Sequence, residues 1–268
     1  MKLAAVLLAV AAIATGCGQS HAHQVLSDTA KNLGKIHSGD LTLRLVVSPR
    51  QGTKGRIGFE LSGPFALRPG ALPIARVAYT QIAGAHEATA TFISTGAKAY
   101  AEVNGKAYEL PPSATETVRR AAGGIGGSGG FGGLDIASWV RHPHASTAGG
   151  TDHVSAELDV VNAANGLLGL LRGLGRDVPA IQGDQAKQLR DAVDSSSFDV
   201  WSGRSDHLLR RLSMRADLGL DVPQELRRAL GSVVGAKVEF VLAVAHPNQA
   251  VSVLPPANPL PSSKLPGG

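Results

Sequence analysis

From Leu41 onward the apolar positions fall on every second residue, with Leu41, Leu43 and Leu45 alternating with Thr42 and Arg44. After a turn over 49–55 the alternation resumes, Ile57, Phe59 and Leu61 standing against Gly58 and Glu60. A period of two predicts strands with one apolar and one polar face, as in antiparallel sheets. Further strands are expected at 75–83, 87–94, 97–103 and 106–110, with Asn104-Gly105 as a tight hairpin turn between the last two. The second half repeats the pattern, giving strands at 153–161, 197–202, 208–218 and 236–245. In 208–218, Leu212, Met214, Ala216 and Leu218 alternate with Arg211, Ser213, Arg215 and Asp217.

Helical spacing is sparser. It predicts helices at 24–36, 114–122, 162–173 and 184–194, the third rich in leucine and the fourth opening at an acidic cap. A helical turn or two at 134–140 is expected to stop at His142-Pro143. The implied class is α+β: one large antiparallel sheet of nine or ten strands with a few helices on one side. The residues expected to face inward are Leu43, Leu45, Ile57, Phe59, Leu61, Phe92, Leu158, Leu212, Met214, Phe240 and Leu242. A sheet that wide either curls or leaves part of its apolar face uncovered. A partly uncovered apolar concavity is the material of a lipid-binding cleft. The other outcome is a closed core with no cavity.

The ends follow a different logic. Lys2 precedes an unbroken apolar run from Leu3 to Ala14, too short for a membrane span of roughly 20 residues but the length of a secretory signal core. The following Ala14-Thr15-Gly16-Cys17 resembles the bacterial lipobox, which implies cleavage before Cys17 and acylation of its thiol and new amino terminus, palmitate among the chains. Cys17 is the only cysteine, so no disulfide can form within the chain. On this reading 1–16 is a signal peptide, 17–24 a lipidated tether, 25–252 the folded domain and 253–268 a Pro-rich disordered tail. Two or three acyl chains hold a protein firmly on a membrane where one does not, so the expected location is the outer face of the cell membrane. The formal charge of +5 is dispersed, which suits a mild attraction to anionic head groups better than nucleic-acid binding.

Several segments together carry a family resemblance. They are Ser38-Gly39-Asp40-Leu41-Thr42-Leu43, Leu61-Ser62-Gly63-Pro64-Phe65, the strand pair from Ser94 to Tyr100 and Gly105 to Pro111, Trp139 ahead of Gly149-Gly150-Thr151, Val200-Trp201-Ser202-Gly203, and Leu209-Arg210-Arg211-Leu212. In this order they resemble the LppX/LprAFG lipoproteins of actinobacterial envelopes, themselves similar in fold to outer-membrane lipoprotein carriers. The resemblance implies a curved half-barrel sheet with helices on its concave face, enclosing a hydrophobic pocket for acylated lipids that are carried within the envelope. It covers most of 25–255 and transfers no catalytic signature. The glycine run at 123–133, eight glycines in eleven residues, departs from the family pattern and reads as a flexible loop.

Chemistry adds little. Gly124-Ile125-Gly126 lacks the strand and the Gly-Lys-Ser/Thr of a phosphate loop. His21 with His23, and His142 and His144 with Asp152 and His153, read as surface histidines and not as metal ligands, which need three or four convergent groups. No Gly-x-Ser-x-Gly elbow is present. Trp139 and Trp201 read as core anchors, and an aromatic content of 4% argues against a sugar cleft. The expected function is therefore binding and carriage of acylated lipids by an anchored lipoprotein, without enzymatic activity, cofactor or nucleic-acid partner. The alternative is an interaction or sensory lipoprotein with a closed core.

Overall fold

The computed structural model describes residues 14–50, 55–126, 134–173, 178–219 and 235–264. Eleven strands form one antiparallel sheet: β1 (Ser38–Pro49), β2 (Ile57–Ala66), β3 (Ile74–Ala83), β4 (His86–Thr95), β5 (Ala99–Val103), β6 (Lys106–Glu109), β7 (Val140–Ala148), β8 (Thr151–Leu158), β9 (Val193–Gly203), β10 (Leu209–Leu218) and β11 (Ala236–Ala245). Among the described residues four helices accompany it: α1 (Ala14–Asn32), α2 (Pro112–Gly126), α3 (Val160–Gly173) and α4 (Gly183–Asp191). The strand order β6-β5-β4-β3-β2-β1-β11-β10-β9-β8-β7 is open at both edges. Two meanders, β1 to β6 and β7 to β11, meet where β1 pairs with β11, Leu43 opposite Leu242 and Leu45 opposite Phe240.

The large antiparallel α+β sheet expected from the alternation is what forms, and 236–245 is a strand over its full predicted length. Four local expectations differ. β7 runs straight through His142-Pro143, because it is an edge strand and the register slips between Arg141 and His144. A proline is tolerated at such an edge bulge, where its missing N–H leaves no ladder position empty. Helix α1 begins at Ala14, well ahead of Gln24, so residues 19–24 of the expected tether are helical and Ala22 is fully buried.

The tail also departs from expectation. Over 253–264 it is held and not disordered: the Glu109 N–H donates to the Leu260 carbonyl and the Leu260 N–H to Ala107, forming a parallel bridge on the free edge of β6. Upstream, Ser38 Oγ donates to the Gln249 carbonyl and the Asn248 N–H to Ser38. Unpaired edge groups give a proline-rich segment somewhere to bond even though it has no core of its own. Trp201, finally, is not a core anchor. It lies between the parallel ring of His153, 4.5 Å away, and the Arg211 guanidinium.

The main core lies on one face of the sheet. α1 contributes Ala22, Val25 and Leu26, joined by Leu33 just past its end, and α1 packs on β7 and on the short turn Ile136–Trp139 that precedes it. The strands supply Val154, Phe198, Val200, Leu209, Leu212 and Leu242, all nearly inaccessible. Trp139 is buried against α3, and Gly166 makes that possible: a Cβ there would sit 2.4 Å from the indole. Asp159 starts α3, its carboxylate accepting from the Asn162 N–H at 3.1 Å.

Candidate functional site: an apolar bay under α3 and α4

The geometry of the sheet makes its inner face hard to fill. Eleven strands at about 4.8 Å spacing are far wider than one helix of about 10 Å diameter. α1 covers the β7–β9 side, while α3 and α4 cover the far ends of β9, β10 and β11 with a smaller cluster of Val161, Ala186, Leu189 and Leu218. Between the two clusters lies a cavity of about 360 Å³.

The sheet forms its floor through Leu45 and Val47 of β1, Met214, Ala216 and Leu218 of β10, and Val238 and Phe240 of β11. Its roof is Ala163, Ala164, Leu167 and Leu168 of α3, closed at the ends by Leu158, Val160, Ile181 and Leu189. Among the described residues Arg215 is the only lining residue with a charge, and its guanidinium Nε lies 3.8 Å from Glu239, its cross-strand neighbour. The wall at Ile181 is fastened by Asn165, whose side-chain amide donates to the Ile181 carbonyl at 3.0 Å and accepts from its N–H at 2.8 Å. Arg172 holds the Val178 carbonyl nearby at 3.1 Å. A bay with these walls offers dispersion and freedom from water, and nothing that would orient a polar reactant.

The residues expected to face inward divide into three groups. Leu45, Leu158, Met214 and Phe240 line the bay. Leu43, Phe92, Leu212 and Leu242 belong to the main core, where Leu242 is only 3% exposed and the void beside it measures about 10 Å³. Ile57, Phe59 and Leu61 share the face, being paired with Val47, Leu45 and Leu43, but lie outside both the bay and the buried clusters. The sequence reading missed Val47, the α3 alanines, Ile181 and Leu189. Period-two alternation carried one step past Leu45 would have found Val47. Asn165 carries no local signal, since its role depends on a segment sixteen residues away.

The polar side chains are paired across strands. Glu60, Glu102 and Glu157 lie beside Arg44, Arg76 and His142, and His153 Nε2 is 2.9 Å from Asp199. Among the described residues no group of three or more His, Cys, Asp or Glu side chains converges, and no helix is long and apolar enough to cross a membrane. Cys17 falls within α1, but its side chain, the signal segment 1–13 and the glycine-run residues 127–133 lie outside the described residues.

No known protein family matches the chain, and no curated protein matches it. Among solved structures it is similar to the crystal structure of LprF from Mycobacterium bovis, at 14% identity over 90% of this chain and 99% of that chain, with a TM-score of 0.48.

Proposed function

We propose that the chain is a membrane-anchored lipoprotein that binds an acylated lipid through its hydrocarbon tail and carries it within the cell envelope. The observation that carries this reading is the bay, whose walls are apolar with one exception and whose roof and floor come from different layers of the fold. Its volume of about 360 Å³ is at the small end of ligand pockets, about 300–1,000 Å³, and suits one tail in place of several. Each methylene taken from water contributes about 0.8 kcal/mol, from which the ordering of a flexible chain must be subtracted. Ten buried methylenes correspond to about 8 kcal/mol, a micromolar affinity before that subtraction. The lipobox-like Ala14-Thr15-Gly16-Cys17 supports acylation at Cys17 and a place on the outer face of the membrane. Neither a cofactor nor a catalytic group is needed.

Native mass spectrometry of the purified protein tests the reading. Wild type should retain bound lipid, and Ala216→Phe, which puts a ring into the bay from its floor, should lower occupancy about tenfold by removing at least 1.4 kcal/mol of tail contacts. Circular dichroism of the sheet should be unchanged. A wild-type spectrum uniformly free of ligand would favour a closed interaction module. Full occupancy in Ala216→Phe would place the lipid elsewhere.

A further inference from the structure

Beyond the bay the apolar face continues onto β2 and reaches β3 at Tyr79, bounded by Gln81 opposite Phe59. Leu45 and Val47 of the floor stand opposite Phe59 and Ile57, and Leu61 stands opposite Tyr79. Directly opposed residues of antiparallel strands share a face, so the floor runs without a break into Ile57, Phe59, Leu61 and Tyr79. Among the described residues its outer members are exposed. Ile57 is 36% and Tyr79 42% exposed, and the Phe59 and Tyr79 rings stack with centroids 6.4 Å apart. Further along the same face, Val77 and Phe92 are packed against the main core. The open part is therefore confined to the end that adjoins the bay.

Three observations select what covers it. The first is the course of α1, whose carboxyl end is tied to the opposite end of the sheet by Asn32 donating to the Asp206 carbonyl. The helix also packs on Ile136–Trp139, next to Val140, which pairs with the bay residue Leu158. Followed back toward Cys17, α1 thus heads to the end of the sheet that holds the bay. The second is Tyr79, an aromatic ring with a polar tip, the amphipathic form that favours a membrane–water interface. The third is charge: Arg56 pairs with Glu87 at 2.9 Å, and Arg50 with Asp194 and Asp217, so these two cations are already neutralised and offer an acidic protein partner little to hold.

We propose that Ile57, Phe59, Leu61 and Tyr79 form a shelf that docks on the bilayer surface and sets the mouth of the bay against the lipid. This rests on the bay being the lipid site, but the docking itself does not require an occupied bay. Single nitroxide labels at Ile57→Cys and Tyr79→Cys test it in the full chain reconstituted into vesicles of phosphatidylethanolamine and phosphatidylglycerol. Arg204→Cys, in the turn at the opposite end, serves as the aqueous control, and wild type taken through labelling corrects for any signal at Cys17. The labels at 57 and 79 should show a severalfold higher ratio of oxygen to nickel-chelate accessibility than the label at 204, independent of salt and of phosphatidylglycerol content. Ratios equal to the control would overturn the shelf. So would spin–spin broadening between copies, which would put a second chain there instead. Lipid occupancy of the same samples is read separately: wet labels on a lipid-loaded protein remove the shelf alone, and shielded labels on a lipid-free protein remove the bay as the lipid site.

Discussion

At the scale of single residues, the fold depends on a few side chains whose role is set by a neighbour distant in sequence. Gly166 is one. In isolation a mid-helix glycine is unfavourable by about 1 kcal/mol relative to alanine, so Gly166→Ala would be expected to stabilise α3. The buried Trp139 indole reverses the sign, because the new Cβ would lie 2.4 Å from it and overpacking of a core costs about 1–3 kcal/mol. Gly166→Ala should lower the urea midpoint without changing the slope; an unchanged or higher midpoint would mean that the indole moves freely. Arg50 is another such residue. It joins the end of β1 to Asp194 of β9 and Asp217 of β10, and its hydrogen bond is the main reason the Asp217 carboxyl is held below its usual range. A carboxyl whose pKa is lowered on folding stabilises the fold above its unfolded-state value, and that stability is lost as pH falls through the lower folded value. Wild type should therefore lose stability in the window from about pH 4 downward. Asp217→Asn should begin less stable at neutral pH and lose less in that window. Thermal unfolding of both proteins from pH 7 to pH 2 checks this, and parallel curves would exclude the pair as a source of acid sensitivity.

At the scale of elements, the two sheet edges are protected by different means. β7 carries Pro143 and a bulge, both of which discourage another strand from pairing. β6 is short and ordinary in sequence, and its protection comes from the tail, through two backbone hydrogen bonds at Leu260. Truncation after Ala250 should remove about 1–3 kcal/mol at about 0.5–1.5 kcal/mol per bond and expose that edge. The expected result is a lower melting temperature with self-association that rises with concentration in sedimentation velocity. A truncated chain that stays monomeric would show that β6 needs no cover. The same segment holds Leu254, 79% exposed, so the tail is fastened by its backbone and not by apolar burial. Composition could not reveal this, because five prolines in the last sixteen residues describe a segment without a core and say nothing of an edge waiting for it.

At the scale of the whole molecule, the bay arises from a mismatch of widths. α1 fills one side of the inner face and α3 with α4 lie over the other, and the space beneath α3 stays unfilled. Only part of the expected apolar set lines that space: Leu45, Met214 and Phe240 do, whereas Leu212 and Leu242 lie under the main core on the same strands. Alternation identifies a face but not what stands above it. Distinguishing the two groups requires the positions of the helices along the strands, and these follow from contacts such as α1 on β7 and Asn165 on Ile181.

The sequence alone determined the sheet and its apolar face, because strand periodicity and turn residues act locally and can be read in order along the chain. Only the tertiary structure decided that β7 passes through a proline, that the tail closes an edge, and that the apolar face divides among a packed core, an open bay and an exposed flank. Those outcomes depend on which surfaces meet, and the meeting surfaces come from residues far apart in sequence.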